Sequence, residues 1–486
     1  MTERLTFNAG PGHRSEAPSL GTSRAADQAP AQDDRPIVDR PERRDWAFLL
    51  LLSFTAVVFF RPQDEIPVLQ FVHLAELCAI GALGALAGGR LSRNLPVTRV
   101  TPELVGVVGL GVIILATAPF SIWFGGAIGV FRELYFKVIL IFLLTVNVLT
   151  TSRRIERLTS LLVLAGGYIG FRAVIDFVRG VNLIENGRVQ GAVGGIFKNP
   201  NDLALNMVAL LPLAIFIVLR PTGTSRRLGA AVCGLFMLGA IVASHSRSGT
   251  LGLVAMLGVL AIFAIRQRPG FVIGGAIVAM MALPMLPKSY WQRLASITDQ
   301  SKDETGSREA RATLLRESYQ AFIENPLTGV GAGQFKNWNP EGREQPWRES
   351  HDVLLQVAAE LGIAGLAVMC YLIARAGLCV RETRRLLRRA RRAARAGRGG
   401  VPTGPPAPRL APAEQAFFDA HSAAMAASFV GWLVCALFAS VAYNWTFYYL
   451  LALAAAPRDI MIDRMALVRA AARHRTAPAQ LEVVRA

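Results

Sequence analysis

Apolar residues arrive along this chain in long runs separated by short polar stretches, and the runs have the length of membrane-crossing helices, about 20 residues. They predict spans at Trp46–Phe60, Val68–Gly88, Glu103–Ala118, Ala127–Leu149, Leu158–Val178, Leu203–Leu219 and Leu228–Ala243. Further spans are predicted at Leu251–Ile265, Phe271–Leu286, Val353–Cys379, Ala424–Val441 and Trp445–Ala456, the last two open to being a single re-entrant hairpin. The expected fold is therefore all-α: a polytopic membrane protein of about 12 transmembrane helices, with one large external loop between helices 9 and 10. Residues 1–44 lack apolar periodicity and are expected to form a disordered cytoplasmic tail. Helices 1–9 would occupy 45–287, the loop 288–352, helix 10 353–379, and a basic Gly/Pro-rich cytoplasmic linker 380–417. Helices 11–12 would fill 418–457, and 458–486 would form a second cytoplasmic tail.

Composition agrees with that pattern. Of 486 residues, 52% are hydrophobic and only 18% charged, with mean hydropathy +0.38, whereas soluble domains carry about 25% charge. A net charge of +18 raises the question of nucleic acid. The arginines, however, fall in short loops between apolar runs and in one block, Arg381 to Arg398, with no aromatic-interleaved basic groove. That is the pattern of cytoplasmic loops and anionic lipid. Five loops agree on it: Arg90/Arg93/Arg99, Arg153/Arg154/Arg157, Arg220/Arg226/Arg227, Arg266/Arg268 and the block from Arg381. Both termini are then cytoplasmic. The five cysteines lie in or at the ends of apolar runs, so they suggest neither a disulfide framework nor a metal site.

The opposite, external face collects arginines that this rule does not account for. Arg188 lies in the loop 179–201, Arg247 in the turn Ser246–Gly249, and Arg308 and Arg311 in the large loop. Planar guanidinium groups suit the paired oxygens of a diphosphate. Arg172 with Asp176, one turn apart, and Arg132 beside Glu133 are better read as structural pairs. His351, at the start of helix 10, is the best candidate for a proton-accepting group among six histidines, although a lone histidine at a helix start is more often structural. Asn199 and Asn201 open a span, where capping is the simpler role and ligand contact the alternative. No His pair at i, i+4 and no Asp-rich signature supports metal chemistry. The glycine run Gly329–Gly333 reads as a tight turn. Trp338 and Trp347 could stack on sugar or rest on lipid.

Four stretches together resemble the O-antigen ligase / O-antigen polymerase superfamily of bacterial membrane glycosyltransferases. They are Arg188 through Asn199-Pro200-Asn201, Ser246-Arg247-Ser248-Gly249, Arg311 with Glu324 through Phe335, and Ser350-His351-Asp352 through Leu366. Asp352 departs from the asparagine usual there, Leu315 from an aromatic. The loop arginine could be Arg308 or Arg311, with spacing to Pro326 favouring Arg311. The resemblance implies transfer of a glycan from undecaprenyl diphosphate at the outer face of the bacterial inner membrane. The acceptor hydroxyl would sit on a lipid A core sugar, another repeat unit or a protein. No cofactor, nucleotide sugar or metal is implied. Arg188, Arg247 and Arg311 would hold the diphosphate, with Arg308, Asn199 and Asn201 as further candidates. His351 would deprotonate or orient the acceptor. A transporter is the remaining alternative, weakened by the lack of a clear internal repeat.

Overall fold

The computed structural model describes residues 45–483, apart from 185–186, 192–196, 198, 266–268, 283, 285–287, 296–306, 342, 345–346, 397–406 and 409. The expected N-terminal tail lies outside the described residues, as do 397–406 and 409 of the Gly/Pro-rich linker expected at 380–417; the linker's two ends are helix instead, 380–396 as the end of α14 and 412–417 as the start of α15. The rest is almost entirely helical. In chain order come α1 (Trp46–Phe60), α2 (Pro62–Glu65), α3 (Leu74–Leu91), α4 (Pro102–Thr117), α5 (Phe124–Val130), α6 (Phe136–Val148) and α7 (Ser152–Arg179). A two-stranded hairpin follows, β1 (Leu183–Ile184) and β2 (Arg188–Val189). Then come α8 (Pro200–Leu219), α9 (Thr224–Ala243), α10 (Arg247–Ala264), α11 (Pro269–Ala282), α12 (Lys288–Ala295) and α13 (Ser307–Glu324). The chain closes with α14 (Val353–Ala396), α15 (Pro412–Ala436) and α16 (Trp445–Val483).

Each predicted span overlaps a helix, although 68–73 precedes α3, 437–441 follows α15 and the end of Phe271–Leu286 lies outside the described residues; α5 runs on into α6 through a π turn at Phe131–Tyr135. Eight helices among the described residues are long and apolar enough to cross a membrane. The fold is an all-α polytopic membrane protein. The core is organised around α8, whose apolar window is 78% buried against 17% for the peripheral α3. It packs on α7, α9, α10 and α15, so it is hydrophobic all round, as a central helix must be. α15 and α16 are separate helices of 25 and 39 residues, and of the two α15 is long and apolar enough to cross a membrane.

Two features of the fold differ from the expectation and matter for the site. First, the interval 288–352 is not a plain loop. It contains α12 and α13, and Leu314 and Ala321 of α13 build a small core of their own with Val330, Phe335, Trp338 and Ala359. Second, α14 is broken at Gly362, which has φ 66° and ψ −163°. A break strands backbone groups that a continuous helix would pair. The glycine-rich turn takes them up: Val330 N–H donates to Ala359 O (2.9 Å) and Gly331 N–H to Glu360 O (2.9 Å), while Ile363 N–H donates to Pro326 O (2.8 Å). Gly329, Gly331 and Gly333 all have left-handed φ, as a tight turn needs, and the turn serves as a wedge in the break of α14.

Further along α14 lies a charged knot that the apolar patterning did not reveal. Glu103 of α4, fully buried, accepts from Arg375 of α14 (2.8 Å) and from Arg458 of α16 (2.7 and 2.9 Å). Both arginines also reach Glu382. Buried charges persist only when paired in this way, so the knot fastens α4, α14 and α16 together. The Arg block from Arg381 continues α14 as helix to Ala396.

Candidate functional site

The starts of α8 and α10 meet at Arg188. The β1–β2 register places Arg188 opposite Ile184, and its guanidinium is half-buried between the two helix starts. Nη2 donates to Asn201 Oδ1 (2.9 Å) and Nε to Ser244 O (3.3 Å). Asn201 Oδ1 also accepts from Ser246 Oγ (2.9 Å), which lies 3.0 Å from Ser248 Oγ. Ser246 in turn caps α10 by accepting from Gly249 N–H. Asn199 caps α8, as its position suggested, but Asn201 does not: its side chain orients Arg188 instead. Arg247 is the first residue of α10 and is half-buried beside this group. Two helix N-termini and two guanidinium groups make this end of the molecule positive.

His351 stands at the start of α14 in a left-handed backbone conformation, φ 54°. Its neighbours hold it there. Asp352 caps α14 by accepting from the N–H groups of Leu354 and Leu355, both at 2.8 Å. The departure from asparagine at 352 therefore keeps the cap, since either side chain supplies the accepting oxygen. His351 N–H donates to Ser440 Oγ (2.9 Å), in the turn between α15 and α16. The imidazole itself has no hydrogen-bond partner among the described residues. Burial, and then the charges of Arg311 and Arg348, lower its pKa to about 4. The imidazole is thus neutral near pH 7, with a nitrogen lone pair available.

The two halves adjoin. Arg311 of α13 is close enough for its charge to act on His351. Glu349, two residues before His351, is close enough to act on Asp202, next to Asn201. Glu349 thus lies near the start of α8, where Asn201 holds Arg188, and Arg311 lies near His351. Arg308 lies in the first turn of α13, and its side chain is outside the described residues. Of the arginines set aside as structural, Arg132 does pair with Glu133 (3.3 Å). Arg172, however, pairs with Glu65 and the Tyr168 hydroxyl, not with Asp176. Glu65, between α1 and α3, folds back over α7 within reach. Asp176 instead accepts from Asn182 Nδ2 (2.8 Å).

Contacts that the sequence did not foresee support the histidine. Gln356 Oε1 accepts from Ala442 N–H (3.1 Å), and the Tyr443 hydroxyl donates to Glu360 (2.8 Å). These bonds fix the α15–α16 turn that carries Ser440. Glu360 also accepts from Gly333 N–H, so the glycine wedge joins the same frame. A buried glutamate in an apolar run is the one signal the sequence offered. Trp338 is buried and stacks on Phe335, so it serves packing rather than a ligand or lipid surface.

These observations define a helical membrane protein with a cationic, histidine-bearing site at one end of its bundle. Residues 232–370 match the family described as O-antigen ligase. This segment of the chain is thus similar to that family, which supports a function broadly of the O-antigen ligase or polymerase type. The matched segment contains Arg247, Arg311 and His351; Arg188 precedes it. No curated protein matches the chain.

Proposed function

We propose that the protein transfers a glycan from undecaprenyl diphosphate to an acceptor hydroxyl, such as that of a lipid A core sugar, at the outer face of the bacterial inner membrane. The observation that carries this proposal is the neutral imidazole of His351, without a hydrogen-bond partner among the described residues and near Arg311, with Glu349 of the same segment near the start of α8 that holds Arg188. Arg188, Arg247 and Arg311 hold the donor diphosphate. The acceptor oxygen attacks the anomeric carbon, its proton passes to His351, and the carbon–oxygen bond to the diphosphate breaks. The leaving diphosphate gains charge in that step, and guanidinium groups placed in advance stabilise it without a metal. Both termini face the cytoplasm, and 288–352 lies outside.

The test is direct. Purified protein in lipid nanodiscs is given undecaprenyl-diphosphate glycan and rough-type lipopolysaccharide, with chelator present. Transfer to the lipid A core with release of undecaprenyl diphosphate is the expected result. Chain lengthening alone would instead make the protein a polymerase of lipid-linked repeats, and neither product would end the proposal. A reporter fused at Asn337 should signal the outer compartment.

Two further expectations follow from the geometry. Asn201→Ala removes the neutral acceptor that aims Arg188, and hydrogen bonds to charged groups contribute about 1.5–3 kcal/mol. The donor KM should rise by about tenfold or more, read from initial rates at fixed acceptor. The second concerns pH. In the free protein His351 stays unprotonated down to about pH 4, so kcat/KM for the donor should lose nothing to this group between pH 7 and 5. A bound diphosphate offsets the positive charge of Arg311, which favours the imidazolium and raises the histidine pKa. The acid limb of kcat should therefore lie at higher pH than that of kcat/KM. In Arg311→Gln the kcat/KM limb should itself move up. A limb that stays put in Arg311→Gln would separate the two groups functionally.

A further inference from the structure

We propose that Trp347 is the stacking platform for the acceptor saccharide, at the mouth of the His351 site; this rests on the glycosyl-transfer reading above. Trp347 is 72% exposed and its backbone is left-handed, φ 66°. A bulky residue takes up that conformation only when its surroundings impose it. Here they do. Trp347 N–H donates to Lys336 O (3.2 Å), and the carbonyl of the next residue, Arg348, accepts from Arg343 Nη2 (3.3 Å). Arg343 is itself fixed by Glu317 (3.2 Å) and by Phe335 O (2.9 Å), and it lies over the rings of Phe335 and Trp338. The segment is clamped on both sides of the tryptophan, and what the clamp achieves is to hold the indole away from the small core beneath it. Trp338 fills that core. Strain maintained to expose a large aromatic ring points to a ligand for the ring.

Position ties the ring to the reaction. Arg348, the adjacent residue, is close enough for its charge to act on the His351 imidazole, and Glu349, two residues on, acts on Asp202. The surroundings choose sugar over lipid. Phe120, Ile122, Trp123 and Phe124, interrupted by Ser121, expose apolar surface from the end of α4 to the first residue of α5, the composition of a membrane-facing belt. Among the described residues, those beside Trp347 are of another kind: Lys336, whose carbonyl accepts from the Trp347 N–H, and Arg348 and Glu349 next in the chain, all exposed. A pyranose ring matches both features. Its C–H face lies on the electron-rich face of the indole, and its hydroxyls find charged hydrogen-bonding partners in Arg348 and Glu349.

The experiment uses the full-length protein in nanodiscs, with undecaprenyl-diphosphate glycan held saturating and rough-type lipopolysaccharide varied. Trp347→Ala and Trp347→Leu are expected to raise the acceptor KM at least tenfold while the donor KM moves less than twofold. Trp347→Phe, which keeps a ring, should recover most of the affinity. An unchanged acceptor KM in the alanine and leucine variants would overturn the proposal. So would equal recovery by leucine and phenylalanine, the result for a residue that only rests on lipid. A second arm does not depend on turnover. Delipidated core oligosaccharide is titrated against wild-type and Trp347→Ala protein by calorimetry. Binding lost in the variant supports the platform even if no glycan is transferred, which would count against the transferase reading alone. Binding retained by Trp347→Ala, or absent from both proteins, overturns it.

Discussion

Replacing His351 by asparagine is expected to lower glycan transfer by about 10²- to 10⁴-fold, the usual contribution of a positioned general base, with little change in donor binding. Asparagine is the informative choice. His351 has φ 54°, and among residues other than glycine asparagine tolerates that conformation well. The backbone bond from residue 351 to Ser440 Oγ and the Asp352 cap should both survive, because neither uses the imidazole. His351→Ala should lose as much transfer but also some thermal stability, since alanine is less at ease in the left-handed region. The measurement is product formation in nanodiscs, alongside unfolding midpoint and donor affinity. Retention of more than a tenth of wild-type transfer by His351→Asn, with the fold intact, would remove the histidine from the chemistry.

Much of this architecture was legible in the sequence because lipid imposes one rule. Backbone groups in the hydrocarbon must be paired within a helix, so apolar runs of sufficient length announce spans without reference to the fold. The arginines at 188, 247 and 311 stood out for the same reason, as charge on the face where charge was not expected. What the sequence did not reveal was every relation that depends on two distant segments meeting. Asn201 looked like a cap, and only the approach of β2 shows that it aims Arg188. Arg172 looked paired with Asp176 because the two share a helix face, but Glu65 comes within reach from another element. Glu103, the opening residue of a span, gave no hint that two arginines from α14 and α16 would close on it.

The support of His351 is the clearest case of such a relation. Ser440 holds its backbone, Gln356 and Glu360 hold the turn that carries Ser440, and the glycine wedge holds Glu360. Three segments thus fix the backbone of residue 351, and with it the start of α14. A site positioned by hydrogen bonds from packed elements keeps its geometry while substrates come and go, which suits a reaction that joins two bulky lipid-borne partners. The break in α14 belongs to the same frame, because the carbonyls of Ala359 and Glu360 accept from the wedge.

Gly362→Ala should therefore be among the most damaging single changes in the chain. The φ of 66° and ψ of −163° fall in a region open essentially to glycine alone, where other residues pay about 1–3 kcal/mol. A Cβ would also stand 2.6 Å from the carbonyl oxygens of both Pro326 and Leu327. Relieving that contact pushes the wedge away and breaks the bond from Ile363 N–H to Pro326 O. Strain and lost pairing together should cost about 3–5 kcal/mol, a large share of the stability of an ordinary domain. The companion variant is Gly377→Ala, in the same helix below the break. Its Cβ meets nothing within 4 Å, and alanine in a helix interior gains up to about 1 kcal/mol over glycine. The unfolding midpoint in detergent should fall for residue 362 and hold or rise for residue 377. Hydrogen exchange should quicken at Val330, Gly331 and Ile363 in the first variant only, and transfer should fall with it as Glu360 and the His351 turn lose their common anchor. Equal stability of the two variants would mean that the wedge and the break are not coupled.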